Sequence, residues 1–407
     1  MTSITCDPPL KASTQPATRK RGAATSIAVF VLIDALGWKY LEGRDFLNDW
    51  LPYRVPLRTV LGFSSGAIPT ILTGEHPVKT GHWNLFYYDP KNSPFQWIRH
   101  FHFLPDRLLD NRYSRKLVQQ IGRRVLGLGQ LFDCAVSPRF LPWFNWVEKR
   151  NIYSQRGITG APSIFDRLHE RRIPHRVYTY HKGSDAQLLR MAERDMSSGA
   201  ASFVFLYLSE MDGFLHMHCK EEEAIEERLR WYENELRRLF TLARNLAPNV
   251  SLNIVSDHGM TPVKHRYDIL QDIERLHLKM PDDYLAVYDS TMARFWYFND
   301  RARSAIQGVL KNIPCGRTLS EEELQRFGVL FEDRRFGETV FLLNPGWLFL
   351  RSDFNGTAWF PSGMHGYHPE TDRYSDAIFL SNGQPELPMQ TIKDVFAHMS
   401  RAALELE

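Results

Sequence analysis

Three apolar runs in this 407-residue chain end the same way, and that repetition constrains the fold more than any other feature. The run 251–256 (SLNIVS) stops at Asp257-His258-Gly259. The run 28–33 (AVFVLI) passes straight into Asp34, with Ala35-Leu36-Gly37 turning behind it. The run 203–208 (FVFLYL) continues through Ser209-Glu210-Met211 into Asp212, and His216 follows four residues later. Short continuous apolar runs bounded by turn residues read as strands covered on both faces, the state of strands in a parallel α/β sheet. In such sheets the crevice at the carboxyl ends of the strands holds the chemistry. Three strands that each deliver an aspartate there gather three negative charges, and buried charge is costly unless it is compensated. A cation resolves that cost. Carboxylate plus imidazole ligation suits zinc or a similar divalent ion, and three carboxylates with several histidines exceed one tetrahedral site, so two metal ions are expected.

An Asp-His-Gly triplet taken alone also makes an ordinary turn, so the weight rests on the set. The stretch 57–74 (LRTVLGFSSGAIPTILTG) places Ser64 and Ser65 before small residues that can start a helix, with Gly74 able to end it. A serine there is either a simple N-cap or a nucleophile at a helix N-terminus, where backbone N–H groups and the dipole favour an incoming anion. The stretch 76–90 (HPVKTGHWNLFYYDP) reads as a loop with one prominent amide, Asn84. In 363–370 (GMHGYHPE), His365 lies close to two glycines that leave it free to reach a ligand position.

The apolar fraction of 43% and charged fraction of 24% are those of a globular protein with a sizeable core. Residues 1–25 read as a loose tail and 26–407 as one catalytic domain, within which 91–156 is an inserted, mostly helical cap rich in aromatic and basic residues. The net charge of +3 is unevenly spread, since residues 99–156 carry eleven Lys or Arg against Asp106, Asp110, Asp133 and Glu148. That excess suits an anionic substrate, a lipid surface or nucleic acid, or is a solvated basic face; no stable nucleic-acid partner is expected. Helices are predicted at 163–172, 185–196, 221–246 and 301–312, and strands at 176–180, 286–288, 293–298, 338–343 and 377–380. The stretch Trp38–Trp50 is read as a helix or a surface excursion. Cys6, Cys134, Cys219 and Cys315 are widely spaced and form no Cys-x-x-Cys pair, as in a reducing compartment. Arg19-Lys20-Arg21 before an apolar run imitates a leader, but the run supplies the first strand and its aspartate. No stretch approaches eighteen uninterrupted apolar residues, and a cytoplasmic protein is expected.

Asp34, Ser64, Asp212, His216, Asp257-His258 and His365, in that order and spacing, resemble the alkaline phosphatase superfamily, and within it the type I phosphodiesterase and nucleotide pyrophosphatase branch. The resemblance covers most of residues 26–382 apart from the basic aromatic insertion. It implies an α/β/α sandwich around a largely parallel sheet. It also implies one metal held by Asp34, Ser64, Asp257 and His258, and a second held by Asp212, His216 and His365. Counting back ten residues from Gly74 of the Thr-Gly element gives Ser64 as nucleophile, with Ser65 the runner-up. Counting seven residues on from Pro77 gives Asn84 beside the transferred phosphoryl group. Two departures stand out: Ser64-Ser65-Gly66-Ala67 replaces the branch's usual Thr-x-Pro-Asn, and Leu215 replaces the glycine before the middle histidine. Sulfatase chemistry is not expected, because Ile68 and Pro69 occupy the positions where an arginine would follow Ser64 or Ser65.

The resemblance therefore implies phosphate-ester hydrolysis through a phosphoseryl intermediate, on a nucleotide, sugar or lipid phosphodiester. A neutral amide at Asn84 suits the single charge of a diester. The rivals are a phosphomonoesterase that holds a dianion with a cation such as Arg99 or Arg107, a phosphotransferase, and a non-catalytic metal-stabilised binding protein.

Overall fold

The computed structural model describes residues 25–128, 134–354 and 360–406. The tail predicted at 1–25, Thr25 excepted, and Cys6 lie outside the described residues. The central sheet is built from β1 (Ser26–Ile33), β2 (Tyr53–Leu57), β3 (His175–Tyr178), β4 (Phe203–Leu208), β5 (Asn249–Val255) and β10 (Ala377–Ser381). Its six strands lie in the order β2-β10-β5-β1-β4-β3. β1 pairs in parallel with β4 and β5, and β3 with β4, while β10 runs antiparallel to both β5 and β2.

Alternation along β1 divides the core into two layers. Val29, Val31 and Ile33 face a cluster completed by α4 (Asp185–Ser197) and the 25-residue α6 (Glu222–Leu246). Ala28, Phe30 and Leu32 face α1 (Ser64–Thr73), α3 (Ile164–Glu170) and α8 (Asp394–Leu404). This is an α/β/α sandwich. α6 buries Ile225, Leu229, Tyr232, Leu236, Leu239, Phe240 and Ala243 along one stripe. Truncating one of these, Leu236→Ala for example, costs about 2–5 kcal/mol in a core that cannot fully collapse.

Register carries the site. Leu32 pairs with Val255, so two more residues along each strand bring Asp34 level with Asp257. Ile33 pairs with Leu208, and the Asp34 amide donates to the Leu208 carbonyl at 3.0 Å. Behind this edge three loops touch. A Cβ on Gly259 would come within 2.1 Å of the Tyr374 carbonyl and one on Gly37 within 2.6 Å of the Gly259 Cα, so both glycines are needed for close approach.

An antiparallel sheet, in the order β6-β7-β9-β8, is formed by β6 (Tyr284–Tyr288), β7 (Met292–Tyr297), β8 (Gly316–Thr318) and β9 (Thr339–Leu343), with α7 (Asp300–Leu310) beside it. Within 91–156, Phe144–Trp146 pairs with Phe86–Tyr88, and α2 (Arg112–Arg124) starts at a capping box of Asn111 and Ser114. This segment has its own core of Phe95, Ile98, Leu109, Val118, Phe144 and Trp146. Trp38–Trp50 is helical only over Trp38–Leu41. The stretch 76–90, read as a loop, contains the short helix Pro77–Thr80 and the strand Phe86–Tyr88. Proline at the first helical position and left-handed Gly81 after the last explain the helix, and neither needs an apolar period.

Candidate active site

Asp34, Asp257 and His365 follow strand ends, Ser64 and Asp212 lie in the first turns of helices, His216 lies in the last turn of its helix and Asn84 in a loop. Asp34 and Asp257 leave the carboxyl ends of β1 and β5, and Asp257 is fully buried. One Asp257 oxygen accepts the amides of Ala35 at 3.2 Å and His258 at 3.1 Å; Oδ2 has no partner. Ala35 holds a left-handed φ of 60°, a conformation that non-glycine residues adopt at a cost of order 1–3 kcal/mol, and its amide is thereby turned onto Asp257. The Tyr207 hydroxyl donates to Oδ2 of Asp34, while Oδ1 has no partner. His258 directs Nδ1 to the Gly259 carbonyl at 2.9 Å, which leaves Nε2 3.2 Å from Asp257 Oδ2 and 3.7 Å from Asp34 Oδ1.

Ser64 is the first residue of α1, whose N-cap is Phe63, a side chain that cannot accept from the first-turn amides. Its Oγ lies 2.9 Å from His258 Nε2. Ser65 is turned away, with its buried hydroxyl donating to the Trp83 carbonyl at 2.6 Å. Of the two serines, Ser64 is thus the one that faces His258.

The other cluster comes from α5 (Glu210–His218), where Asp212 and His216 are one turn apart on the same face. Asp212 Oδ1 lies 3.4 Å from His216 Nε2 and 3.6 Å from His365 Nε2. His216 Nδ1 is fixed against the Gly363 carbonyl at 2.8 Å, and Leu215 is fully buried in the core. The His258 and His365 rings stack at 3.9 Å, so the two clusters share a wall. The start of α5 is held by Asp185, which accepts the Ser209 amide at 3.0 Å, the Glu210 amide at 3.2 Å and the Tyr232 hydroxyl at 2.5 Å.

The electrostatics are those of a site built for positive charge. Burial, followed by the charges of Asp257 and Asp212, pushes the Asp34 carboxyl well above its ordinary value. Burial alone would also raise Asp212, but His216, His365 and His258 around it hold it below the ordinary range. Burial, then neighbouring His258, pushes His365 well below the ordinary imidazole value, which leaves it a neutral donor of a lone pair. Burial opposes protonation of His216, and Asp212 more than offsets it. The donors of Asp34, Asp257 and His258 lie within 4.8 Å of one another, as do those of Asp212, His216 and His365. Asp34 Oδ1, Asp257 Oδ2 and Asp212 Oδ1 are buried acceptors with no hydrogen-bond partner, the state that a bound cation satisfies. Both triads fit a divalent metal ion by donor type.

A cavity of about 440 Å³ opens over this edge, lined by Ser64, Asn84, His216 and His365 and by Glu148, Lys149 and Arg150 of the 91–156 segment. Asn84 is buried; its NH₂ meets only the thioether of Met292 at 3.7 Å and its Oδ1 has no partner. The cations on this wall among the described residues are Lys149 and Arg150, both exposed; Arg99 and Arg107 are not part of it. Tyr207, Asp185 and Glu148 were not singled out from the sequence. Tyr207 sits within an apolar strand and Asp185 looks like an ordinary helix-start acid, so only the fold reveals their partners.

Comparison with known proteins agrees with this fold. Murine ectonucleotide pyrophosphatase/phosphodiesterase 5 superposes with a TM-score of 0.65 at 16% identity, over 93% of this chain and 95% of that one. An inactive variant of the murine protein in complex with AMP gives 0.64 at 16% identity, over 93% and 95%. Phosphonoacetate hydrolase from Sinorhizobium meliloti, in complex with phosphonoformate, gives 0.63 at 15% identity, over 95% and 97%. No curated protein sequence matches significantly. The profile of the type I phosphodiesterase / nucleotide pyrophosphatase family matches residues 28–368. With that match, and with the two acid-histidine clusters at the strand ends, the chain belongs to the type I phosphodiesterase / nucleotide pyrophosphatase family and is a hydrolase of phosphate esters.

Proposed function

We propose that the chain is a phosphodiesterase that uses Ser64 as nucleophile and two divalent metal ions, zinc being the first candidate. The observation that carries the reading is the position of Ser64 Oγ, 2.9 Å from His258 Nε2, at a helix start that faces carboxylate oxygens without partners. Asp34, Asp257, His258 and Ser64 would hold one ion and Asp212, His216 and His365 the other. Bound there, the ions supply Lewis-acid stabilisation of the oxygens that gain charge and lower the pKa of the serine hydroxyl. The chain's residues do the rest. Ser64 Oγ bonds to phosphorus as the opposite ester P–O bond breaks, and the leaving alcohol departs. Water then cleaves the Ser64 ester, returning the hydroxyl and releasing a phosphomonoester. The first turn of α1 presents backbone N–H groups to the anion. Asn84, whose amide has only a weak partner, donates to a non-bridging oxygen.

Asn84, a neutral amide lining the same cavity as Ser64, supports a monoanionic diester over a monoester dianion. The cysteines among the described residues, Cys134, Cys219 and Cys315, are buried and not in disulfides, which supports a cytoplasmic setting as part of the same proposal. The test is turnover of bis(p-nitrophenyl) phosphate and p-nitrophenyl phosphate side by side by the zinc-loaded protein and by Ser64→Ala. Faster diester turnover, lost in the variant, supports the reading. Faster monoester turnover moves the enzyme to the phosphatases, and a fully active variant removes Ser64 from the nucleophile's place.

A further inference from the structure

The 91–156 segment exposes large apolar side chains that its own core does not use. Phe103 is 80% exposed, Val125 75%, Tyr113 69%, Leu117 61% and Leu108 55%. Their sequence neighbours Leu109 and Val118 are buried with Phe95, Ile98 and Trp146, so this core closes without the exposed set. On α2, Tyr113, Leu117 and Arg124 share with Lys116 the face opposite buried Val118 and Gly122.

Charge over the same stretch is one-sided. Residues 97–128 contain seven Lys or Arg and two Asp. Those acids, Asp106 and Asp110, are already engaged by Arg139 and Arg115. Arg107, Arg112, Lys116 and Arg124 are exposed. Scattered exposed apolar residues are ordinary on a protein surface. Here they are interleaved with arginine and lysine over one short stretch, the composition of an element that lies in a membrane interface. Apolar side chains enter the acyl boundary, and cations meet anionic headgroups. Nucleic acid would use the cations and the aromatic rings but offers nothing to Leu108, Leu117 and Val125.

We infer that the exposed apolar and basic side chains of residues 101–125 dock the protein onto an anionic lipid bilayer. Among the described residues no helix is long and apolar enough to cross a membrane, so the contact is peripheral. Gly127, just past Val125, lines the active-site cavity, as does part-exposed Phe354, so docking sets the cavity mouth beside the lipid headgroups. The inference stands on surface composition and is independent of the reaction proposed above.

The test is co-sedimentation of the full chain with vesicles of phosphatidylcholine alone or mixed with phosphatidylglycerol. The wild type partitions at least about tenfold more strongly onto the anionic vesicles, less so as salt is raised. The variant Leu108→Ser/Leu117→Ser/Val125→Ser loses at least about tenfold of that binding, since it removes only the apolar insertion. Lys116→Glu/Arg124→Glu loses the preference for anionic lipid. Unchanged circular dichroism and melting temperature show that these exposed substitutions leave the fold intact. Equal or absent partitioning of the wild type onto the two vesicle types overturns the inference. So does undiminished binding by the triple serine variant; if that variant also binds a DNA duplex, the face is one for polyanions.

Discussion

Replacing Asp257 with asparagine should stabilise the protein without metal and forfeit most of that gain with it. Asp257 and Asp34 offer ligand oxygens within 4.8 Å of each other, and Asp257 is the largest charge raising the Asp34 carboxyl after burial itself. Two unit charges at that separation repel by about 3.5 kcal/mol at an effective dielectric of about 20. A chain of 407 residues, at roughly 2.1 cal/mol/K per residue, has an unfolding entropy of about 0.85 kcal/mol/K. Neutralising Asp257 therefore raises the melting temperature of chelator-treated protein by up to about 4 °C. With metal most of that advantage is lost. An ion held at 100 times its Kd stabilises by about 2.7 kcal/mol, or about 3 °C for each site. Wild type should thus gain about 6 °C on zinc loading, Asp257→Asn about 3 °C, and Asp212→Asn about 3 °C by loss of the other site. Differential scanning calorimetry of apo and loaded protein reads all of these. A wild type that gains nothing from zinc, manganese or magnesium, or a gain unaffected by both substitutions, refutes the reasoning.

Other consequences concern the supports of the site. Glu148 is raised by burial from 4.5 to about 7, so the stability it contributes is full below about 4.5 and is lost as pH rises through about 7. Glu148→Gln should flatten that fall, by at most about 3 kcal/mol, and abolish a rise in KM for an anionic diester above pH 7, read from pH-dependent melting and kinetics. Asp185→Ala removes the acceptor for two amides at the start of α5 and should weaken zinc binding by Asp212 and His216 about 10–100-fold in a competitive-chelator titration. Arg294 is fully buried, pairs with Asp289 at 2.8 Å and donates to the Phe86 carbonyl; Arg294→Met strands the acid and should cost about 3–5 kcal/mol in denaturant unfolding.

Much of this site was legible because its chemistry is written in local patterns. An apolar run that stops at Asp34 or Asp257 reports both a buried strand and the edge where it ends, and parallel register brings the two acids level. Asp212 and His216 show their helical spacing directly. What depends on long-range contact was not legible. Ser65 is turned to the Trp83 carbonyl, eighteen residues away, and Tyr207 reaches Asp34 across the sheet. The strand Tyr53–Leu57 escaped notice because it carries Arg54 and Pro56; it lies at the sheet edge, where a proline is tolerated. Nothing in the composition of 377–381 sets its direction, which the structure shows to be antiparallel.

The central claim is that Ser64 becomes covalently bonded to phosphorus during turnover. Zinc-loaded protein quenched in acid while turning over bis(p-nitrophenyl) phosphate, then digested and mapped by mass spectrometry, tests it. The account predicts one added p-nitrophenyl phosphoryl group on the peptide containing Ser64, localised to that residue and absent from Ser64→Ala. The adduct on Ser65, or rapid turnover with no adduct at any time point and inversion at a chiral phosphorothioate diester, would contradict it.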